Sequence, residues 1–209
     1  MTILAIEFSS ERRSVALARD GQVLAEAVET GGYRVTNAFS LIQRVLTQAN
    51  VARETVEVIV IGTGPGSYTG IRAAIAVAQG WQLAREVKLL GISSVECLAA
   101  QAQAQALNGL VDIVIDAQRG EFYLATWRVG EGGPQVVADL KIVSAAEIEA
   151  RQAAGAICIG PDAVQVWYPD AATLARLATG RTNFVPGDQL EPVYLRETTF
   201  VKAPPGRVY

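Results

Sequence analysis

Residues 56–80 constrain this chain more than any other stretch. Val56, Val58, Ile59, Val60 and Ile61 make an almost continuous β-branched run, the composition of a strand covered on both faces. The turn Gly62-Thr63-Gly64-Pro65-Gly66-Ser67-Tyr68-Thr69-Gly70 follows. Behind it the spacing of apolar residues predicts a helix over 69–85.

The turn has two readings. Backbone N–H groups and the helix dipole at such a junction can hold an anion, which would bring in Gly64, Gly66 and Ser67. Alternatively, the glycines serve positive φ and close backbone approach. Two phosphate-loop templates fail here. A Walker A loop ends in Gly-Lys-Ser/Thr, and this turn has no lysine. The dinucleotide fingerprint G-x-G-x-x-G meets Ser67 when counted from Gly62 and Thr69 when counted from Gly64. Arg72, in the first helical turn, suits either an anion or a partner's carboxylate.

The helix after the turn aligns Ala73, Ala76 or Val77, Gly80 and Ala84 at helical spacing, with Trp81 beside them. A row of small residues lets another element come close. That element is either the protein's own sheet or a helix of a second chain.

Elsewhere strands and helices alternate. Residues 3–8, 14–18 and 22–28 read as three consecutive strands, the last two joined at Asp20-Gly21, a strong hairpin signal. Phe39, Ile42, Val45, Leu46 and Ala49 predict an amphipathic helix over 36–49, capped by Thr36 or Asn37. A strand over 87–92 precedes a helix from the cap Ser93 to about 107, and Asn108-Gly109 closes this half. The second half restarts with strands over 110–116, 121–129 and 135–142. Ser144 with Glu147 has the capping-box pattern and opens a helix. A strand over 156–159 and a short helix from the cap Asp170 to 178 follow. The expected division is therefore 1–108, 109–191 and a proline-rich tail, 192–209, laid on the surface or frayed.

Composition removes several functions. The chain has 209 residues and no histidine, so the commonest general base, the commonest metal ligand and any Ser-His pair are missing. Ser67 therefore has no histidine to activate it as a nucleophile. Two lone cysteines, Cys97 and Cys158, read as reduced core thiols of a cytoplasmic protein. The net charge of −3 does not provide the basic stripe of a free nucleic-acid binder. No apolar run approaches a membrane span, and the N-terminus lacks a basic leader.

Two further clusters have chemical potential. Glu7, Ser9 and Ser10 put a carboxylate and two hydroxyls where the first strand opens, suited to magnesium, water or phosphate, or to a satisfied strand end. Asp116, Arg119 and Glu121 surround a tight turn, as an acid–base pair or as a salt-bridged hairpin.

Five ordered segments together resemble the TsaB (YeaZ) family. They are Ile3-Leu4-Ala5-Ile6-Glu7-Phe8-Ser9-Ser10 with Ser14-Val15-Ala16-Leu17, Gly64 through Arg72, Gly91-Ile92-Ser93-Ser94-Val95-Glu96, Ile115 through Tyr123, and Glu191-Pro192-Val193-Tyr194-Leu195-Arg196. Two positions depart from the family's pattern. Glu7-Phe8 stands where aspartate and threonine are common, and Tyr33-Arg34-Val35-Thr36 stands where an Arg-x-His-Ser/Ala-like pattern is usual.

The resemblance implies an α/β, actin-like ATPase (ASKHA, ribonuclease H-like) fold of two lobes, each opening with a β-β-β meander. It also implies a non-catalytic role in tRNA threonylcarbamoyladenosine formation, beside a TsaD-like catalytic paralogue and a TsaE-like ATPase. In that role tRNA is met indirectly, the chain forms a homodimer when alone, and ATP or ADP enters only in the assembled complex. The implied partner interface carries over to Phe39, Ile42, Val45, Arg72, Ala73, Ala76, Val77 and Trp81. The alternative is an actin-fold ATPase or small-molecule kinase acting alone.

Overall fold

A computed structural model of the chain describes residues 1–31 and 37–195. The expectations on Tyr33-Arg34-Val35-Thr36 and on the chain beyond Leu195 fall outside the described residues.

Strands β1 (Thr2–Glu7), β2 (Arg12–Arg19) and β3 (Gln22–Thr30) form an antiparallel meander. Asp20 and Gly21 turn its second corner, both at positive φ (51° and 84°), as the Asp-Gly signal requires. Strands β4 (Val58–Gly62) and β5 (Lys88–Ile92) add to β1 in parallel, giving the order β3-β2-β1-β4-β5.

The second half repeats this plan. An antiparallel meander of β6 (Gly109–Asp116), β7 (Glu121–Val129) and β8 (Gln135–Ser144) is extended in parallel from β6 by β9 (Ile157–Gly160) and β10 (Gln165–Val166). Two copies of one mixed-sheet topology make the actin-like architecture. β10 is too short for its alternation to show in the sequence.

β1 and β4 are buried on both faces, which explains their unbroken apolar runs. Leu4, Ile6, Ile59 and Ile61 face a core shared with α1 (Ala38–Gln48) and α2 (Tyr68–Ala84). Ile3, Ala5, Val58 and Val60 face the opposite core. Side-chain oxygens cap the helices. Asn37 accepts from the Ser40 amide, and Ser67 accepts from that of Gly70. Ser93 caps α3 (Ser94–Ala104) and Ser144 caps α4 (Ala145–Ala153). Asp170 accepts from Thr173 at 2.6 Å to start α5 (Ala171–Ala178).

The helices do not respect a boundary at residue 108. α5 follows the second sheet in sequence, yet it packs on the first. Ala171, Leu174, Ala175 and Ala178 lie against Ile3, Ala5, Ala16 and Ala18 in one core. Conversely, Val95, Leu98, Ala99 and Ala102 of α3 pack on the second sheet. A division into 1–108 and 109–191 therefore follows the strands but not the packing. α5 is alanine-rich, and the alanines of β1 and β2 leave a shallow surface on which its backbone can lie close.

Residues 185–193 strap the first sheet. Val185 N–H donates to Leu89 O at 2.9 Å, and Val193 N–H to Thr63 O at 2.8 Å. Gly187 is held between Gln79 and Gln82 of α2, and Leu190 is buried in the core beneath. Among the described residues no helix is long and apolar enough to cross a membrane.

Candidate functional site: the cleft between the sheets and the outer face of α2

Where the two sheets meet, their turns enclose a cleft of about 730 Å³. Ser9, Ser10, Glu11 and Arg13 line it from the β1–β2 corner, and Gly66 to Thr69 from the start of α2. Asp116 to Arg119, Asp162 and Tyr168 line it from the second sheet. Of the residues predicted to contact phosphate, Ser9, Ser10, Gly66 and Ser67 reach this cleft, while Glu7 and Gly64 do not.

Glu7 points away from the cleft because of its register. It stands beside Gly62 across the parallel β1–β4 pair, and its carboxylate occupies the space where a side chain at residue 62 would begin. Oε1 accepts the Ser9 amide at 2.6 Å, Oε2 has no hydrogen-bond partner, and the side chain is fully buried. This removes Glu7 from the set of ligand contacts. An acid on this strand faces the cleft or the core according to register, and register is set by tertiary pairing.

The glycine turn serves close approach. A Cβ on Gly66 would collide with the Ser9 carbonyl, and one on Gly70 with the Phe8 carbonyl. The Ser67 amide donates to Ser9 O at 2.6 Å, and the Gly70 amide donates to Ser67 Oγ at 3.3 Å. Two of the N–H groups that a phosphate would use are thus engaged within the chain. Ser94 Oγ donates to Ser9 Oγ at 2.8 Å, so one of the two candidate hydroxyls also ties β1 to α3.

The expected salt-bridged turn at residues 116–121 is built differently. Asp116 accepts from the Gln118 amide at 2.7 Å and from its side-chain amide at 2.6 Å, so Gln118, not Arg119, satisfies it. Gln118 and Arg119 both take positive φ (66° and 62°). Asp162 receives the Asp116 backbone amide at 2.8 Å. Partial desolvation among its neighbours pushes its carboxyl above the usual range, with the charges of Asp116 and Glu11 adding to the rise. Tyr168 donates to Glu11 at 2.6 Å. Neither Asp162 nor Tyr168 was legible in the sequence, since each is a single polar residue in an irregular stretch far from its partners.

The second candidate surface is the outside of α2. Its buried face is Gly70, Ile71, Ala74, Ile75 and Ala78. Ala73, Ala76, Gly80 and Ala84 all face solvent, a Cβ built on Gly80 would meet nothing within 4 Å, and Leu83 is 91% exposed. Val77 and Trp81 are half-buried against the core. On α1, Phe39 is 70% exposed.

Ile42 and Val45 require correction. The family resemblance implies a partner interface at both, and both are buried in the protein's own core. α1 has one apolar face, and the sheet covers it. Arg72, at the edge between α2's outer face and the cleft, donates to the Tyr68 hydroxyl at 2.8 Å. Tyr68 in turn stacks on Tyr194 with ring centroids 5.5 Å apart.

Comparison with known proteins places these features in a family context. The family described as TsaD: tRNA N6-adenosine threonylcarbamoyltransferase matches residues 34–160. The chain is 34% identical over 135 residues to the tRNA threonylcarbamoyladenosine biosynthesis protein TsaB of Escherichia coli K12, covering 64% of this chain and 58% of that one. It is 32% identical over 154 residues to the protein of the same name from Bacillus subtilis 168, covering 71% and 65%. The match thus spans roughly three fifths of those relatives' length. Among solved structures, YeaZ from Pseudomonas aeruginosa superposes with a TM-score of 0.77 at 25% identity, covering 93% of this chain and 99% of that one.

Proposed function

The chain belongs to the TsaB (YeaZ) family, and from that premise we propose that it is a non-catalytic scaffold and activator of the complex that transfers a threonylcarbamoyl group to N6 of adenine 37 in tRNAs reading ANN codons. A TsaD-like paralogue performs the transfer and a TsaE-like ATPase supports it. The tRNA meets this chain only through the assembly. Alone in the cytoplasm, the chain pairs with a second copy.

The observation that carries this reading is the outer face of α2. Ala73, Ala76, Gly80 and Ala84 form a solvent-facing row of small side chains, with Leu83 beside them. Such a row lets a second helix lie close, and the exposed leucine supplies apolar area to bury.

The cleft supports the same reading from the chemical side. Its first-strand carboxylate is turned inward, and two amides of its glycine turn are already engaged. An ATPase or kinase acting alone would need that carboxylate in the cleft. No tightly bound cofactor forms part of the proposal, and ATP or ADP enters only when the complex is assembled.

The test is reconstitution. The purified chain is expected to show no threonylcarbamoyl transfer, and to restore it when added to TsaD, TsaE and a supply of threonylcarbamoyl-adenylate. Sedimentation of the mixture should show a species containing both this chain and TsaD. Absence of that species at micromolar concentration refutes the reading.

A further inference from the structure

Among the described residues, two buried side-chain oxygens lack a hydrogen-bond partner, Glu7 Oε2 and Gln101 Oε1. Both lie in the joint that holds the two sheets together. β1 ends there under α3, whose other side belongs to the second sheet's core. The N-terminus of α5 closes the joint. Asp170 receives Gln101 Nε2 in a short hydrogen bond, its backbone oxygen accepts from Cys97 Sγ at 3.5 Å, and the Ala171 amide donates to Ser14 Oγ at 2.8 Å. Ser14 stands opposite Glu7 in the β1–β2 ladder.

The groups facing Glu7 offer it no positive charge. Its own turn contributes the Ser9 hydroxyl and amide, β4 contributes Gly62 with no side chain, β2 Ser14, α3 the Cys97 thiol, and the α5 cap the Asp170 carboxylate. The nearby cations serve other carboxylates: Arg181 pairs with Glu96, while Arg12 and Arg176 act on Glu26. An ionised carboxylate here would be a dry charge with one oxygen unpartnered, and such a charge is costly. A protonated one is merely a buried polar group. Burial accordingly pushes the Glu7 carboxyl up to about 7, against the opposing hydrogen bond from Ser9 and with help from the Asp170 charge.

We propose that Glu7 is a proton-binding site that sets the tightness of the joint between the two sheets. Neutral, its carboxyl lies on Gly62 and lets α3 and the α5 cap close over it. Ionised, it repels Asp170 and draws water towards Oε2, so the joint opens more often. This gives the assembly subunit a conformational response to pH near neutrality that requires no ligand. The inference does not depend on the proposed partners.

The experiment is amide hydrogen exchange on the full chain, read at the Ala171 and Cys97 amides and corrected for intrinsic exchange rates. For a group near 4.5 when open and about 7 when closed, linkage predicts that protection falls about thirty-fold between about pH 5.5 and about pH 8.5. Glu7→Gln should abolish that fall, and an equal fall in this variant, or constant protection in the native chain, overturns the proposal. Should Glu7→Gln fail to fold, carboxyl NMR of the native chain decides, with Glu26→Gln to separate the other glutamate whose carboxyl is raised. A Glu7 signal titrating between about pH 6 and about pH 8 together with the Ala171 amide is the expected result. Titration of Glu7 in the ordinary carboxylate range overturns the proposal.

Discussion

The backbone carbonyl of Ser9 accepts the Ser67 amide at 2.6 Å and lies so close to Gly66 that a Cβ there would overlap it. This contact fixes where α2 begins relative to β1, and hence the angle at which α2 presents its outer face. Gly66 also has φ +148°, in a region that side chains avoid. Gly66→Ala should lose about 3 kcal/mol of unfolding free energy from combined overlap and backbone strain. Gly132→Ala, at φ +95° but with open space around it, should lose about 1 kcal/mol. Urea titration of the two variants separates these costs, and equal losses would show that the carbonyl contact is unimportant.

The outer face of α2 should be separable from the fold. Ala76 is exposed, so Ala76→Arg should change stability by no more than about 0.5 kcal/mol while eliminating self-association and TsaD binding in sedimentation. Ile42→Ala should do the reverse. It should cost about 3 kcal/mol of stability and leave association intact wherever the protein remains folded. Dimers of undiminished affinity in Ala76→Arg would mean that another surface pairs.

Stability should depend on pH through Glu7. Its folded-state carboxyl is raised from 4.5 to about 7, so its contribution is fully present below about pH 4.5 and is lost as pH rises through about 7. The loss amounts to about 3 kcal/mol at full ionisation. Glu26 and Asp162 are shifted in the same direction by burial, so the informative quantity is the difference between the native chain and Glu7→Gln. That difference should grow from about pH 5 to about pH 8 in favour of the variant. A difference independent of pH would indicate a packing effect alone.

The second lobe contains an asymmetric ion pair. Asp112 is 4% exposed and binds Arg151 at 3.1 Å and Thr126 at 2.5 Å, while the Arg151 side chain is one-third exposed. Arg151→Ala would strand a buried carboxylate and should cost about 3 kcal/mol or more. Asp112→Asn keeps the Thr126 hydrogen bond and leaves an arginine able to reach water, so it should cost less. Thermal unfolding of both variants checks the order, and the reverse order would place the charge of Asp112 outside the dry core.

Much of the molecule is legible in the sequence alone. The β-branched run of β4, the Asp20-Gly21 corner and the caps Ser93, Ser144 and Asp170 were all readable as written, because each signal acts within a few residues. The inward turn of Glu7 was not. A strand's alternation names two faces but does not say which one meets the cleft. Ile42 and Val45 were misplaced for a similar reason, since an amphipathic helix announces an apolar face without naming what covers it. Asp162 and Tyr168 gave no signal, because their partners Asp116 and Glu11 are distant in the chain.

The stretch at 56–80 shows where the division falls. The sequence by itself determined a buried strand, a glycine-rich turn and a helix carrying a row of small residues, and the structure turned that row to solvent. The sequence also determined that no histidine is present for catalysis. Only the tertiary structure decided that the turn closes on the Phe8 and Ser9 carbonyls, that α5 crosses to the first sheet, and that Glu7 lies on Gly62. Propensity, capping and turn chemistry are local energies summed along the chain. The faces that become buried, and the charges left without partners there, depend on contacts between residues far apart in sequence, and those form only when the sheets pack.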